Sequence, residues 1–129
     1  LTVDQDARVR AHMQAIVAQH LPGTDATISF DESYPPMAPT EGNRALLATL
    51  NAVNRDLGLA EMAEFDPARR GAADSSFVAA LADTMGGMGA VGELGHAEGE
   101  WIELDSLPRQ ALRSAALITR LSRIPRVAH

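Results

Sequence analysis

Gly92-Glu93-Leu94-Gly95-His96-Ala97-Glu98-Gly99-Glu100, running directly into Trp101-Ile102-Glu103-Leu104 and then Asp105-Ser106-Leu107-Pro108, is the stretch on which the fold turns. It reads as a glycine-broken loop, an extended segment and the opening of a helix. A histidine held between glycines can present its ring where the backbone also approaches a ligand closely. One histidine does not make a catalytic metal site, because such sites use about three protein ligands. The loop therefore points to chemistry whose other participants lie outside these 129 residues.

Downstream of the loop, the pattern predicts a last helix from Ser106 to Arg123, with Pro108 in the first turn, where a missing N–H is harmless. Its buried face is expected at Leu107, Ala111, Ala115, Ile118 and Leu121. Upstream lies the glycine-rich run Met85-Gly86-Gly87-Met88-Gly89-Ala90-Val91-Gly92. Within it Gly87, Gly89 and Gly92 fit the G-x-G-x-x-G spacing, but that pattern should open a helix inside a strand–helix–strand unit. Here the glycines lead into another loop, so nucleotide binding is not inferred.

Further upstream, Arg69-Arg70-Gly71-Ala72-Ala73-Asp74 introduces a third helix containing Phe77, Val78 and Leu81, with Asp74 as its N-cap. Two guanidinium groups before a glycine turn form a candidate carboxylate clamp, set against the plainer reading of a solvated basic pair. A short strand is expected around Met62 to Phe65. A second helix is expected from the Thr40 cap through Leu46, Leu50, Val53 and Leu57, with Gly58 as its terminator. Tyr34-Pro35-Pro36-Met37-Ala38-Pro39 has three prolines in five positions, an extended connector at which a domain boundary is placed. Before it come a first helix, Asp4 to His20, capped by Asp4 with Val9, Met13, Ile16 and Val17 on one face, and a strand alternating through Ala26, Ile28 and Phe30. One helix and one strand cannot close a core, so these leading residues read as the end of a larger domain.

Bulk properties narrow the partners. The formal charge is −6, which argues against a nucleic-acid backbone as ligand. All 11 basic side chains are arginines, suited to bidentate pairing with carboxylates. With no cysteine, disulfides and thiolate metal sites are excluded, and a metal must be held by His and carboxylates. No apolar run suits a membrane span and no signal-peptide pattern opens the chain, so a cytoplasmic location is expected. His12 and His20 fall on the first helix and His129 is terminal; the solvated reading is preferred for all three.

Taken together, the segments resemble the C-terminal part of the dizinc amidohydrolases that include glutamate carboxypeptidase, aminoacylase, acetylornithine deacetylase and succinyl-diaminopimelate desuccinylase. Tyr34-Pro35-Pro36-Met37 looks like the exit from that family's lid domain. Arg70-Gly71-Ala72-Ala73-Asp74-Ser75-Ser76-Phe77 resembles its glycine turn and aspartate-capped helix. Gly89-Ala90-Val91-Gly92 through His96, with Glu100 four residues on, resembles the loop carrying its last metal-binding histidine. Asp105-Ser106-Leu107-Pro108-Arg109 resembles the start of its C-terminal helix. Two departures stand out: Glu93 and Leu94 interrupt what is commonly a run of glycines, and the arginine spacing relative to Gly71 does not align cleanly.

The resemblance implies an α/β fold: the C-terminal part of a three-layer zinc-peptidase catalytic domain over residues 39–129. It would be preceded over 1–38 by the last helix and strand of an α+β lid, or dimerisation, domain. It implies that His96 binds one of two zinc ions and that Arg69, Arg70 and Gly71 help hold the free carboxylate of a small peptide or N-acyl amino acid. It also implies amide hydrolysis by a zinc-bridging water. The general-base glutamate and remaining ligands of that family are not among these residues, so the chain alone is expected to be inactive. A homodimer, or association with the missing N-terminal part, is expected; nucleic acid and membrane are not. The alternative is a non-catalytic domain or assembly fragment that associates with a partner chain, because a truncated lid leaves a strand edge and an apolar helix face to be covered.

Overall fold

A computed structural model of the chain describes residues 2–31, 33–69 and 71–123. Its elements, in order, are α1 (Val3–Val17), α2 (Glu41–Asp56), α3 (Ser75–Val78), β1 (Gly92–Glu93), β2 (Trp101–Ile102) and α4 (Ser106–Leu121). No helix among the described residues is long and apolar enough to cross a membrane. The chain divides into two compact units. One comprises the residues up to Thr40 together with Phe65–Thr84; the other comprises Glu41–Glu64 with the residues from Met85 onward. The expected boundary after Ala38 lies close to the first change of unit, while 65–84 groups with the N-terminal residues.

In the first unit, α1 is capped by Thr2, two residues earlier than the expected Asp4 cap. Thr2 Oγ1 accepts from the Gln5 N–H (3.2 Å) and the Gln5 side chain accepts from the Thr2 N–H (2.9 Å), a reciprocal capping box. The helix stops at Val17 because the chain tightens through Gln19 N–H to Ile16 carbonyl (3.0 Å) ahead of Pro22. None of its residues is buried, and the expected apolar stripe of Val9, Met13 and Ile16 faces outward. Ile28 and Phe30 are half-buried as the alternation predicts, but 26–30 forms no strand, since a ladder needs a neighbouring edge and none among the described residues pairs with it. Arg10 holds the segment instead: its guanidinium lies 5.2 Å from the Phe30 ring centroid while its Nε bonds Asp6 (2.9 Å to Oδ2). The expected third helix contracts to Ser75–Val78, with Phe77, Val78 and Leu81 substantially exposed.

The second unit holds the core. Leu50, Val53 and Leu117 are buried, and Leu47, Leu57, Met62, Met85, Met88, Ala116 and Leu121 pack against them. Helix α2 buries Leu50 and Val53 of its expected stripe and ends where its sequence predicts. Gly58, at φ +65°, ends it in a Schellman motif: Leu59 N–H reaches the Asn54 carbonyl (2.8 Å) and Gly58 N–H the Arg55 carbonyl (3.1 Å). The strand expected at Met62–Phe65 is absent. Its place is taken by the Asn51 side chain, whose Nδ2 donates to the Met62 carbonyl and whose Oδ1 accepts the Met62 N–H, both at 2.8 Å. One amide thus makes the two bonds that a neighbouring strand would have made.

Helix α4 departs furthest from expectation. Of the predicted inward face, Leu107, Ala111, Ala115 and Ile118 are exposed and only Leu121 packs against the core; the buried residues are Ser106, Gln110, Arg113 and Leu117. Those two sets lie on different faces of one helix, their centres roughly a third of a turn apart. Polar side chains win the interior because each finds a partner there, described next.

Candidate functional site

Strands β1 and β2 pair antiparallel, Gly92 opposite Ile102 and Glu93 opposite Trp101, and the loop 94–100 between them carries His96. Gly92 is required by space: a Cβ there would lie 2.1 Å from the Trp101 carbonyl oxygen. Just outside the pairing, Glu103 N–H bonds the Val91 carbonyl (2.8 Å). Ser106 Oγ, from the first residue of α4, accepts the Val91 N–H (2.9 Å) and donates to the Glu103 carbonyl (2.6 Å). A single buried hydroxyl therefore ties both legs of the hairpin to the helix.

The rest of the α4 inner face extends this support. Gln110 Nε2 donates to the Gly89 carbonyl (2.8 Å), fixing the glycine-rich run that leads into β1. Gln110 Oε1 accepts from Arg113 Nη1, and Arg113 Nε donates to Asn54 Oδ1 (2.7 Å). Asn54 Nδ2 in turn donates to Asn51 Oδ1 (3.1 Å), which holds Met62. A continuous buried network thus runs from the 61–64 segment through α2 and α4 to the glycines before the hairpin. It satisfies the demand that buried polar groups be hydrogen-bonded. Arg113 is a buried cation whose two acceptors are neutral amides.

The loop itself is two successive tight turns. Ala97 N–H bonds the Leu94 carbonyl (2.9 Å) and Glu100 N–H bonds the Ala97 carbonyl (3.2 Å). The third residue of each turn has a left-handed backbone: His96 at φ +65° and Gly99 at φ +85°. Leu94 is also left-handed, at φ +59°. Glycine takes this conformation without strain, whereas an L side chain does so at a cost of roughly 1–2 kcal/mol. His96 is exposed, as are Glu98 and Glu100.

Among the described residues no group of three or more His, Asp or Glu side chains is placed to hold a metal ion. His96 by itself does not fit a zinc site, which needs further donors, and no catalytic step is derived from these residues alone.

The other expected site residues lie in the first unit. Arg69 ends a turn made by Asp66, whose carbonyl accepts the Arg69 N–H (2.9 Å) and whose Oδ1 accepts the Ala68 N–H (2.9 Å). The Arg69 guanidinium lies over the Phe65 ring, 5.4 Å from its centroid. Gly71 has no left-handed φ, and the space where a Cβ would sit is open. Arg70 lies outside the described residues. Asp74 stands at the N-cap position of α3 without making the cap bond; its Oδ1 accepts from the Tyr34 hydroxyl (3.1 Å). That bond, with the nearby negative charge, raises the Tyr34 phenol above its ordinary pKa. Tyr34 also packs its ring 5.0 Å from that of Phe77. Sequence reasoning treated Tyr34 as part of a connector; only its proximity to the prolines marked it, and nothing in the pattern joined it to Asp74.

No protein-family model, curated protein or solved structure matches the chain.

Proposed function

We propose that this chain is the C-terminal part of a zinc-dependent hydrolase that cleaves an amide bond in a small peptide or N-acyl amino acid. In this reading residues 39–129 belong to a three-layer α/β catalytic domain and 1–38 to its lid. His96 supplies one donor to a two-zinc centre whose other donors and general base come from polypeptide beyond these residues. Arg69, Arg70 and Gly71 meet the substrate's free carboxylate, guanidinium forks being matched to that group. The chain alone is inactive.

The observation that carries the reading is the left-handed backbone of His96 at an exposed hairpin tip. Glycine, used at the equivalent place in the next turn, would be the less strained choice. Strain retained at a side chain able to bind metal is a pointer to function. The buried polar lock beneath the hairpin supports it further, because a ligand must be positioned by the shell behind it.

The test is zinc retention after dialysis, measured by elemental analysis together with intact mass. The isolated chain is expected to keep no stoichiometric zinc. Co-expressed with an N-terminal polypeptide carrying a His-x-Asp pair and a Glu-Glu pair, it is expected to retain zinc and hydrolyse N-acyl amino acids, and His96→Ala is expected to abolish both. Unchanged zinc and activity in that variant would remove His96 from the centre and defeat the proposal.

A second reading, an assembly module without catalysis, is favoured by one observation: the apolar outer face of α4. Zinc-free association with a partner chain, insensitive to His96→Ala, is what it requires.

A further inference from the structure

The connector at 34–39 is fastened to the α3 turn by side chains. Pro35, Pro36 and Pro39 have no N–H to give, so the backbone there offers few donors of its own. Tyr34 donates to Asp74 Oδ1 (3.1 Å) and packs against Phe77. Three residues on, Met37 makes the second attachment. Its Sδ receives the Ser75 hydroxyl at 3.9 Å and the Thr84 hydroxyl at 3.8 Å, one from the first residue of α3 and one from the chain beyond it. Among the described residues it is the one methionine sulfur with hydroxyl donors. A thioether is a weak acceptor, and two donors directed at it gain little. A sulfoxide oxygen accepts far more strongly. An oxygen added to the sulfur on the side of the hydroxyls shortens both separations toward ordinary O–H···O distances.

We propose that Met37 is an oxidation site: a peroxide converts its thioether to the sulfoxide, and Ser75 and Thr84 hold the new oxygen. The sulfur lone pair attacks one peroxide oxygen and the O–O bond breaks. The proton on the attacked oxygen passes to the departing one, which leaves as water from hydrogen peroxide or as an alcohol from an organic hydroperoxide. The sulfur gives up two electrons and the peroxide gains them. Hydroxyls directed at the sulfur favour this twice. They donate to the oxygens on which negative charge develops, and then to the sulfoxide itself. At Met62, Met85 and Met88, which pack against Leu50, Val53 and Leu117, the same oxygen would be a polar atom set among aliphatic side chains. At Met37 it fastens the connector more firmly to residues 75 and 84, all within one compact unit. Sulfoxide reductases return such an oxygen, so the attachment is reversible. This inference does not rest on the zinc reading.

The absence of cysteine leaves no thiol to compete for the oxidant. The full chain is treated with limiting hydrogen peroxide, and fragment-ion mass spectrometry locates each added oxygen. Met37, Met62, Met85 and Met88 are all half-buried, so exposure alone would oxidise them at similar rates, and Met13, 44% exposed, is the open reference. Met37 is expected to gain oxygen several-fold faster than the other three half-buried methionines. Ser75→Ala combined with Thr84→Val is expected to slow Met37 several-fold while Met13 keeps its rate, with helical circular dichroism checking the fold. A further measurement needs no variant. In parent chain purified with one added oxygen at Met37, the amides of 75–84 are expected to exchange with solvent more slowly than in the reduced chain. Oxidation of Met37 no faster than that of Met62, Met85 and Met88 overturns the proposal, as does an unchanged Met37 rate in the folded double variant. Unchanged or faster exchange at 75–84 overturns it as well, because the sulfoxide would then have no bonded place.

Discussion

Replacing His96 by glycine should stabilise the protein, although it deletes the side chain on which the functional reading depends. At φ +65° the histidine carries a left-handed penalty of roughly 1–2 kcal/mol. Glycine removes it but adds backbone freedom to the unfolded chain, worth about 0.5–1 kcal/mol in the opposite direction. At the centres of the two ranges the difference leaves His96→Gly about 0.75 kcal/mol more stable than the parent chain. His96→Ala keeps a Cβ and hence the penalty, so it should match the parent chain and lie below the glycine variant. Trp101, the only tryptophan, pairs with Glu93 in the same hairpin, and its fluorescence reports the unfolding of that element. With a urea m-value of about 1–3 kcal/mol/M, the glycine variant's midpoint should rise by a few tenths of a molar unit. A glycine variant no more stable than the alanine variant would refute the claim that His96 is held against its backbone preference. The functional argument built on that strain would fall with it.

Three further outcomes follow from the packing. Gly92→Ala should break the β1–β2 pairing at a cost of 2 kcal/mol or about that, since its Cβ would meet the Trp101 carbonyl at 2.1 Å; loss of the cross-strand amide signals at 92–93 and 101–102 checks it. Ser106→Ala should lower stability by about 1–3 kcal/mol through the orphaned Val91 N–H, and faster hydrogen exchange at Val91 should accompany it. Tyr34, the only tyrosine, should ionise above its ordinary pKa in the folded chain, and Asp74→Asn should bring that titration back down. Because the folded pKa is the higher one, the Tyr34 contribution is complete at neutral pH and is lost as pH rises through the folded value; tyrosinate absorbance follows it.

What the sequence disclosed depended on how local each signal was. Helix α2 was readable because its cap region, its Leu50–Val53 stripe and its Gly58 terminator all lie within one stretch of chain. The turn character of the His96 loop was readable from its glycines, and the Pro108 opening of α4 from its own first turn. The failures are those of pairing. The alternation at 26–30 predicted the half-burial of Ile28 and Phe30 but not the lack of a neighbouring strand. At Met62 the backbone is satisfied by the Asn51 side chain, and an asparagine within a helix carries no mark that distinguishes it from a solvated one. The inward face of α4 was misjudged for a related reason. Periodicity assigns polar residues to water unless their partners are known, and Ser106, Gln110 and Arg113 find, respectively, the amide of Val91, the carbonyl of Gly89 and the side chain of Asn54, all distant in sequence.

That inversion of α4 has an energetic logic. A satisfied buried hydrogen bond contributes about 1 kcal/mol net, while leaving its partner orphaned costs about 1–3 kcal/mol. The inner face of α4 is therefore a modest stabiliser but a strong selector of position. Leucines at 106, 110 and 113 would bury more apolar surface, yet they would release both legs of the hairpin and the glycines behind it. If His96 is the zinc donor proposed above, position is what it needs, because a donor that wanders cannot complete a site built by other groups. With its interior side committed to polar locks, the helix carries its apolar residues outward, and a 16-residue helix with Leu107, Leu112 and Ile118 exposed is poorly matched to water. The polar lock and the outward apolar residues are then two consequences of one arrangement: α4 holds the hairpin by hydrogen bonds and the core through Leu117 on one side, and leaves Leu107, Leu112 and Ile118 exposed on the other.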